Sequence, residues 1–418
     1  MQLSVINREI KDVFYLIALQ GLNYIAPLLV LPYLIKVLGA EKFGYIGFSL
    51  SVVQYLMLIV DFGFNLSATK RVALAKNNQE ELNRVFTSTL YAKVALLLVS
   101  FLVLILLSCI SRFAEYRQTM FVMFFMVIGN AFSFVWLFQG MGKIRLVSIV
   151  NTIAKLSILP LTFVFVKNSD DYLIAAWLQS LVIVVGSVIS IGIIIKEKWV
   201  SIVSFVKENV LLELKESYPI FLSSAATSVY MATFVIVLGY FASPENVGKY
   251  SAVERLIRAG CCLLTVPITQ AFYPKISQMG INNQYAAIRL VRKILLYIIV
   301  CMTVLSTALF FFSPYVVALL GQDYHDAVNL FKIMAFIPIF SGISLTTAQL
   351  VLLATGGYED KKNYQRACLM TGVIALISIF AIIPFFHTEG AAVSLLLTEI
   401  VICVLMLYYG RRFLLMRK

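Results

Sequence analysis

The sequence predicts an all-α polytopic membrane protein of about twelve transmembrane helices in two related six-helix bundles. Three observations predict it. Of the 418 residues 61% are hydrophobic and 13% charged, with a mean hydropathy of +0.91, whereas a soluble domain carries roughly 25% charged residues. A water-exposed surface cannot be built from that supply. Apolar stretches of about 20 residues, the length that crosses a hydrocarbon core, recur along the whole chain. Lys and Arg collect at alternate ends of these stretches, as they do on cytoplasmic flanks.

In order, the first six stretches run near 13–35, 44–66, 88–108, 119–138, 146–166 and 172–195. Six more follow near 218–241, 248–272, 294–312, 329–354, 368–386 and 390–409. The opening dozen residues carry both charge signs and no small-residue cleavage site, so the first span is expected to stay in place. Arg8 and Lys11, then Lys70, Arg71, Lys76 and Arg84, then Lys143 and Arg145, then Lys196, Lys198, Lys207 and Lys215 fall on one side of the membrane. Lys275, Arg289, Arg292, Lys293, Lys361, Lys362, Arg366, Arg411, Arg412, Arg417 and Lys418 continue that side. The opposite side holds Lys36, Lys42, Arg112, Arg117, Lys167, Lys249 and Lys332. The imbalance puts both termini in the cytoplasm, which requires an even number of spans. The net charge of +13 is therefore a topology signal, and nucleic-acid binding is not indicated. Cys109, Cys261, Cys262, Cys301, Cys368 and Cys403 lie in or at apolar spans and act as small hydrophobes.

An internal match at an offset of 204 residues divides the chain. Ala40–Gly44, a short outer turn before the second span, aligns with Pro244–Gly248 before the eighth. Beyond it Gly47, Ser51, Gln54, Asp61 and Asn65 recur at helical spacing, and the same register gives Ser251, Arg255, Arg258, Thr265 and Thr269. A fainter echo pairs Gly142 with Gly357. Six is even, so duplicated six-span halves share one orientation about an axis along the membrane normal. The expected organisation is a lobe over 1–200, an amphipathic cytoplasmic connector over 201–216 and a second lobe over 217–418, with the ligand path between the lobes.

Charges inside spans are the candidate site. Asp61, Lys93, Lys155, Glu254, Arg255, Arg258 and Glu399 each cost about 2.5–3.5 kcal/mol at a bilayer centre, so their presence points to a water-filled cavity or to partners. Glu254 and Arg258 are four apart and can pair on one helix face. Arg255 has no such partner in its own helix. Two guanidinium forks on neighbouring turns suit a diphosphate. The structural alternative is a fixed network of Glu254, Arg255, Arg258 and Asp61 that only keeps the lobes in register. Asp61, Glu254 and Glu399 are candidates for ion coupling, although Asp61 can equally be a salt bridge or a cap. Arg255, Arg258, Lys155, Lys93, Gln54 and Asn23 are candidates for substrate contact. Lys93 is expected to snorkel towards the inner surface. Pro27 and Pro32 bend the first span.

Enzyme signatures are missing from the sequence. Gly140–Ile144 has neither the glycine spacing nor the Ser or Thr of a phosphate loop. His325 and His387 stand alone at outer ends, without metal-ligand spacing. No cofactor or metal is implied. The longest outer segment, Ser313–Val328, is short for a glycan polymerase or ligase.

Tyr33–Gly44, Asp61-Phe62-Gly63-Phe64 with Ala68-Thr69-Lys70-Arg71, and Ala252–Arg258 resemble the polysaccharide exporters known as Wzx O-antigen flippases. These share the fold of multidrug and toxin extruders and of lipid II flippases, the last usually with fourteen spans. The resemblance implies transfer of an undecaprenyl-diphosphate-linked oligosaccharide repeat unit from the cytoplasmic to the periplasmic leaflet of a bacterial inner membrane by alternating access, driven by an ion gradient. Its implied partners are the lipid-linked oligosaccharide and membrane lipids, with an O-antigen polymerase and a chain-length regulator as neighbours. Competing readings are a cation-coupled drug exporter of the same fold, a membrane glycan polymerase or ligase, and a purely structural membrane partner.

Overall fold

The computed structural model describes residues 2–414, and the side chains of all of these except 2–26, 28, 144, 223, 226–231, 281, 282 and 358. The described residues form helices and no strand. In chain order they are α1 Gln2–Asp61, α2 Phe64–Ala75, α3 Gln79–Ser108, α4 Arg117–Ala131, α5 Val135–Gly140, α6 Ile144–Phe165 and α7 Tyr172–Glu197. Then come α8 Lys207–Phe241, α9 Pro244–Asn282, α10 Gln284–Leu320, α11 Val328–Met334, α12 Ile337–Thr347 and α13 Tyr358–Leu414. Eight helices among the described residues are long and apolar enough to cross a membrane, or nine with the bent pair Gln322–Met334 and Ile337–Leu353 counted as one span. All twelve stretches read from the sequence fall on helices. The lower count arises partly because α1 and α13 each carry two stretches across a break, at Gly39 (φ 69, ψ 175) and at His387 (φ 44, ψ −116). Large apolar side chains such as Leu106, Phe311, Leu319 and Phe385 are exposed on these helices. That is the surface a lipid-facing protein presents. The chain is a multi-pass membrane protein.

Two details differ from expectation. The segment Ser313–Val328, expected on the outer side, is mostly helical, because α10 runs on to Leu320 and a short 3₁₀ turn, Gln322–Ala327, follows. The polar stripe of the second span ends at Asp61, because Phe62 (φ 39) and Gly63 (φ 84) turn the chain and place Asn65 on α2. Gly63 is needed there twice over. Its conformation suits a residue without Cβ, and a Cβ would lie 2.9 Å from the Ser217 carbonyl oxygen and the Ile220 Cβ.

The chain forms two compact units, one of Met1–Leu38 with Phe48–Ser228 and one of Gly39–Gly47 with Val229–Lys418. In the first, Phe64, Val72, Phe86, Trp136, Phe138 and Trp199 build a core from α2, α3, α5 and the segment that follows α7. The segment 199–206 after α7 is not helical, and α8 starts at Lys207 and continues through Pro219. Glu213 on α8 is fully buried, 2.6 Å from Arg71 Nη1 of α2, and accepts a hydrogen bond from Ser88 Oγ of α3 at 3.0 Å. Ser67 and Ser217 hydroxyls meet at 2.6 Å. Burial pushes the Glu213 carboxyl above its usual range, against the opposing pull of Arg71 and Ser88. In the second unit, Ile276, Ile288, Ile298, Met302, Leu350 and Val351 form the core. Within that unit the repeated turns meet reciprocally. A Cβ on Gly44 would overlap the Pro244 carbonyl, and one on Gly248 would overlap the Ala40 carbonyl. Glycine is required where main chains approach this closely.

Candidate functional site

In the first unit the second span delivers Asp61 to the end of α1, and α3 carries Lys93 opposite it. Lys93 Nζ lies 3.5 Å from Asp61 Oδ1 and donates to the Asn130 carbonyl oxygen at 3.1 Å. Lys93 is 1% exposed. The expected snorkelling does not occur, because a carboxylate and a carbonyl inside the unit satisfy the ammonium where it stands. Gln54, two turns before Asp61, is exposed. The side chain of Asn23 lies outside the described residues.

Asn130 ends α4, which breaks at Phe132–Phe134 before resuming as α5. Its carbonyl also accepts from Ser133 Oγ at 3.1 Å. Beside this break a cavity of about 460 Å³ opens among α4, α5, α6 and α7, with Lys155 and Asn151 of α6 on its wall. Sequence reasoning singled out Lys155 and passed over Asn130. The available signal was a carboxamide three residues before a serine inside an otherwise apolar span.

In the second unit the stripe of α9 is continuous. Thr265 and Thr269 are buried and donate to the Cys261 and Thr265 carbonyl oxygens of their own helix at 2.7 and 2.9 Å. Such back-bonding satisfies both hydroxyls locally. Arg258 Nε donates to Glu254 Oε1 at 2.8 Å, and its Nη1 lies 3.5 Å from Glu399 Oε1 of α13. The i, i+4 pair read from the sequence is therefore present. Glu399, which had no partner in the sequence, supplies a second carboxylate. Arg258 Nη2 is buried with no hydrogen-bond partner among the described residues. Arg255, one turn earlier, places its guanidinium 5.4 Å from the centre of the Phe43 ring. The structure thus groups Asp61 with Lys93, and Arg258 with Glu254 and Glu399. The expected alternative network joining Asp61 to the α9 charges is replaced by the local pair with Lys93.

Chemically, the α9 cluster offers planar donors held by carboxylates. No group of three or more His, Cys, Asp or Glu side chains able to hold a metal ion occurs among the described residues.

Comparison with known proteins places this geometry in context. Residues 10–280 match the family model described as polysaccharide biosynthesis protein. The putative O-antigen transporter of Escherichia coli (strain K12) is 32% identical over 405 residues, covering 96% of each chain. The putative O-antigen transporter of Shigella dysenteriae is 31% identical over 408 residues, covering 95% of this chain and 98% of that one. Among solved structures, the lipid II flippase MurJ in an inward closed conformation superposes with a TM-score of 0.71 at 13% identity, covering 96% of this chain and 89% of that one. An inward-facing multidrug resistance MATE transporter gives 0.70 at 14% identity, covering 94% of each chain. At such identities the structures establish the fold alone, an all-α transporter fold of the MATE and MurJ type. With more than half of its length matched by the family model, and relatives above 30% identity along nearly all of it, the chain belongs to the polysaccharide biosynthesis protein family.

Proposed function

We propose that this protein is a flippase for lipid-linked polysaccharide repeat units, and not an enzyme. It moves an undecaprenyl-diphosphate-linked O-antigen or other surface-glycan unit from the cytoplasmic to the periplasmic leaflet of the bacterial inner membrane by alternating access. Its family membership and the two transporter relatives support this reading. The Lys and Arg distribution supports cytoplasmic termini. An O-antigen polymerase and a chain-length regulator are the natural consumers of the flipped unit.

The observation that carries the mechanism is the half-buried Arg258 side chain, held by two carboxylates and with a buried Nη2 donor that has no hydrogen-bond partner among the described residues. A buried donor without an acceptor is costly, and a phosphate oxygen is an acceptor of the right charge. Arg255 on the preceding turn gives a second fork for the other phosphate. Glu254 and Glu399 compete with the diphosphate for Arg258, so a coupling cation that neutralises either carboxylate strengthens substrate binding and its departure weakens it. That competition couples an ion gradient to transport. Asp61 and Lys93 form a second, self-neutralising pair available for coupling, and Gln54 and Asn23 are assigned to sugar hydroxyls.

The deciding experiment uses purified protein in liposomes and a labelled lipid-linked sugar. Replacing Arg255 and Arg258 together by Ala is expected to abolish transfer between leaflets. Equal transfer by the double variant would sink the cationic-site mechanism. A cation-coupled drug exporter is the second reading, and drug sensitivity of a strain lacking the chain separates the two.

A further inference from the structure

The cavity beside the broken fourth span is unused by the α9 site. Asn130 of α4, Ser133, Asn151 of α6 and Ser187 and Ser190 of α7 line it, and its volume of about 460 Å³ falls within the roughly 300–1,000 Å³ typical of small-ligand sites. Irregular backbone at membrane depth is tolerated only where protein or a water-filled cavity covers it, and Ser133, in the Phe132–Phe134 break, lines this one. The hydrogen bonding of the wall is lopsided. Three serines spend their protons on nearby main chain: Ser133 Oγ donates to the Asn130 carbonyl oxygen at 3.1 Å, Ser187 Oγ to that of Val184 at 2.8 Å and Ser190 Oγ to that of Gly186 at 2.8 Å. What remains on each hydroxyl is oxygen lone pairs. Asn130 Nδ2 is the reverse, a buried donor with no hydrogen-bond partner among the described residues.

A ligand that completes this wall must donate several hydrogens and accept at least one. Neighbouring hydroxyls of a sugar ring do both, since each carries one proton and two lone pairs. An apolar ligand leaves the Asn130 donor buried and unpaired, which is costly, and an ionised carboxylate offers the serines no hydrogen. We infer that this cavity binds a sugar ring of the transported glycan through its hydroxyl hydrogens, with Ser187 and Ser190 as acceptors and Asn130 Nδ2 as donor to a ring oxygen. Asn151 supplies a carboxamide that serves either kind of partner. Lys155, also on the wall, is already engaged, and the site does not depend on its charge. The inference rests on the flippase reading and gives the glycan a contact in the first unit, where the diphosphate cluster is in the second.

The test measures binding to the full chain in nanodiscs, by ligand-observed NMR, of D-glucose, of each derivative in which one hydroxyl is replaced by fluorine, and of inorganic pyrophosphate. Fluorine keeps the size and polarity of a hydroxyl but donates no hydrogen. At least one derivative is expected to bind about tenfold more weakly than glucose, the scale of one lost hydrogen bond at a buried acceptor. Ser187→Ala with Ser190→Ala should bring glucose down to that derivative's affinity and close the gap between them, with pyrophosphate binding unchanged. Both hydroxyls bond back to their own helix, so removing them costs the fold little. No saturable glucose binding, derivatives that all bind as well as glucose, a gap that survives the double substitution, or parallel loss of glucose and pyrophosphate would each overturn the assignment. Folding is controlled in a chain that keeps both serines. With the native cysteines replaced, Asn151→Cys should react several-fold more slowly with a methanethiosulfonate reagent when glucose is present, and an unchanged rate counts against the site. Liposome transport separates this inference from the one beneath it. Ser187→Ala with Ser190→Ala should raise the KM for a labelled lipid-linked sugar about tenfold and leave kcat within about twofold. Wild-type protein that moves no lipid-linked sugar refutes the flippase reading, whereas an unchanged KM in the double variant refutes only the sugar site.

Discussion

The two charged clusters lie at different positions of the repeat read from the sequence, where Asp61 matches Thr265 and Arg258 matches Gln54, and they solve different problems. In the first unit Asp61 and Lys93 make a one-to-one pair, and the ammonium finishes its bonding on a main-chain carbonyl. In the second, two carboxylates share one guanidinium, a donor is left over, and a further arginine rests against an aromatic ring. The first cluster is closed in itself. The second is neutral in total but incompletely bonded, which is the condition for admitting an anion without a large reorganisation.

Substitutions can break this contrast, and the largest effect is expected at Arg258. Arg258→Ala leaves Glu254 and Glu399 without their cation, and loss of one partner of a buried ion pair costs about 3–5 kcal/mol. Thermal unfolding in detergent should fall accordingly, and the joint change of Arg258, Glu254 and Glu399 to apolar residues should recover much of the loss. Lys93→Met should cost less, about 1–3 kcal/mol, because Asp61 is 29% exposed and can be solvated. Adding Asp61→Asn to Lys93→Met should restore most of it, and failure to do so would show that Lys93 acts mainly through the Asn130 carbonyl. Arg255→Ala removes a cation–π contact worth roughly 0.5–2 kcal/mol and an unbonded electrostatic attraction to Glu254, leaving the Arg258 ion pairs in place. It should therefore lower stability least among these while lowering transport strongly. Equal losses of stability at Arg255 and Arg258 would erase the distinction between a tethered and a receptive arginine.

The smallest effect is a pH dependence at Glu213, outside the spans. Its carboxyl is raised by burial, so its contribution favours the native fold below the ordinary carboxylate range and is lost as pH rises through the raised value. Glu213→Gln should flatten that part of the stability profile, read as unfolding midpoint against pH. Arg71→Ala should steepen it by removing the compensating cation at 2.6 Å.

Much of this was legible in the sequence. Helical stretches are written in runs of apolar residues, and all twelve lie on helices. The Glu254–Arg258 pair was readable because both ends sit four apart on one helix, where geometry is fixed by the backbone. The pairings of Asp61 with Lys93 and of Arg258 with Glu399 were not, since each joins helices distant in sequence. Asn65 was assigned to the wrong helix although Gly63, two residues earlier, carried the turn signal. Glu213 read as one more charge of an amphipathic connector, and its burial depends on Arg71 and Ser88 arriving from α2 and α3. Asn130 was overlooked because a carboxamide in an apolar run has no periodic signature.

The reciprocal meeting of Ala40 with Gly248 and of Pro244 with Gly44 has an evolutionary corollary. Main-chain atoms fix that crossing, so its position is indifferent to the side chains carried farther along either helix. Drift at Ser51, Gln54, Arg255 or Arg258 leaves the crossing where it is. Substitutions along either stripe can therefore accumulate one residue at a time while the frame that presents them is inherited unaltered.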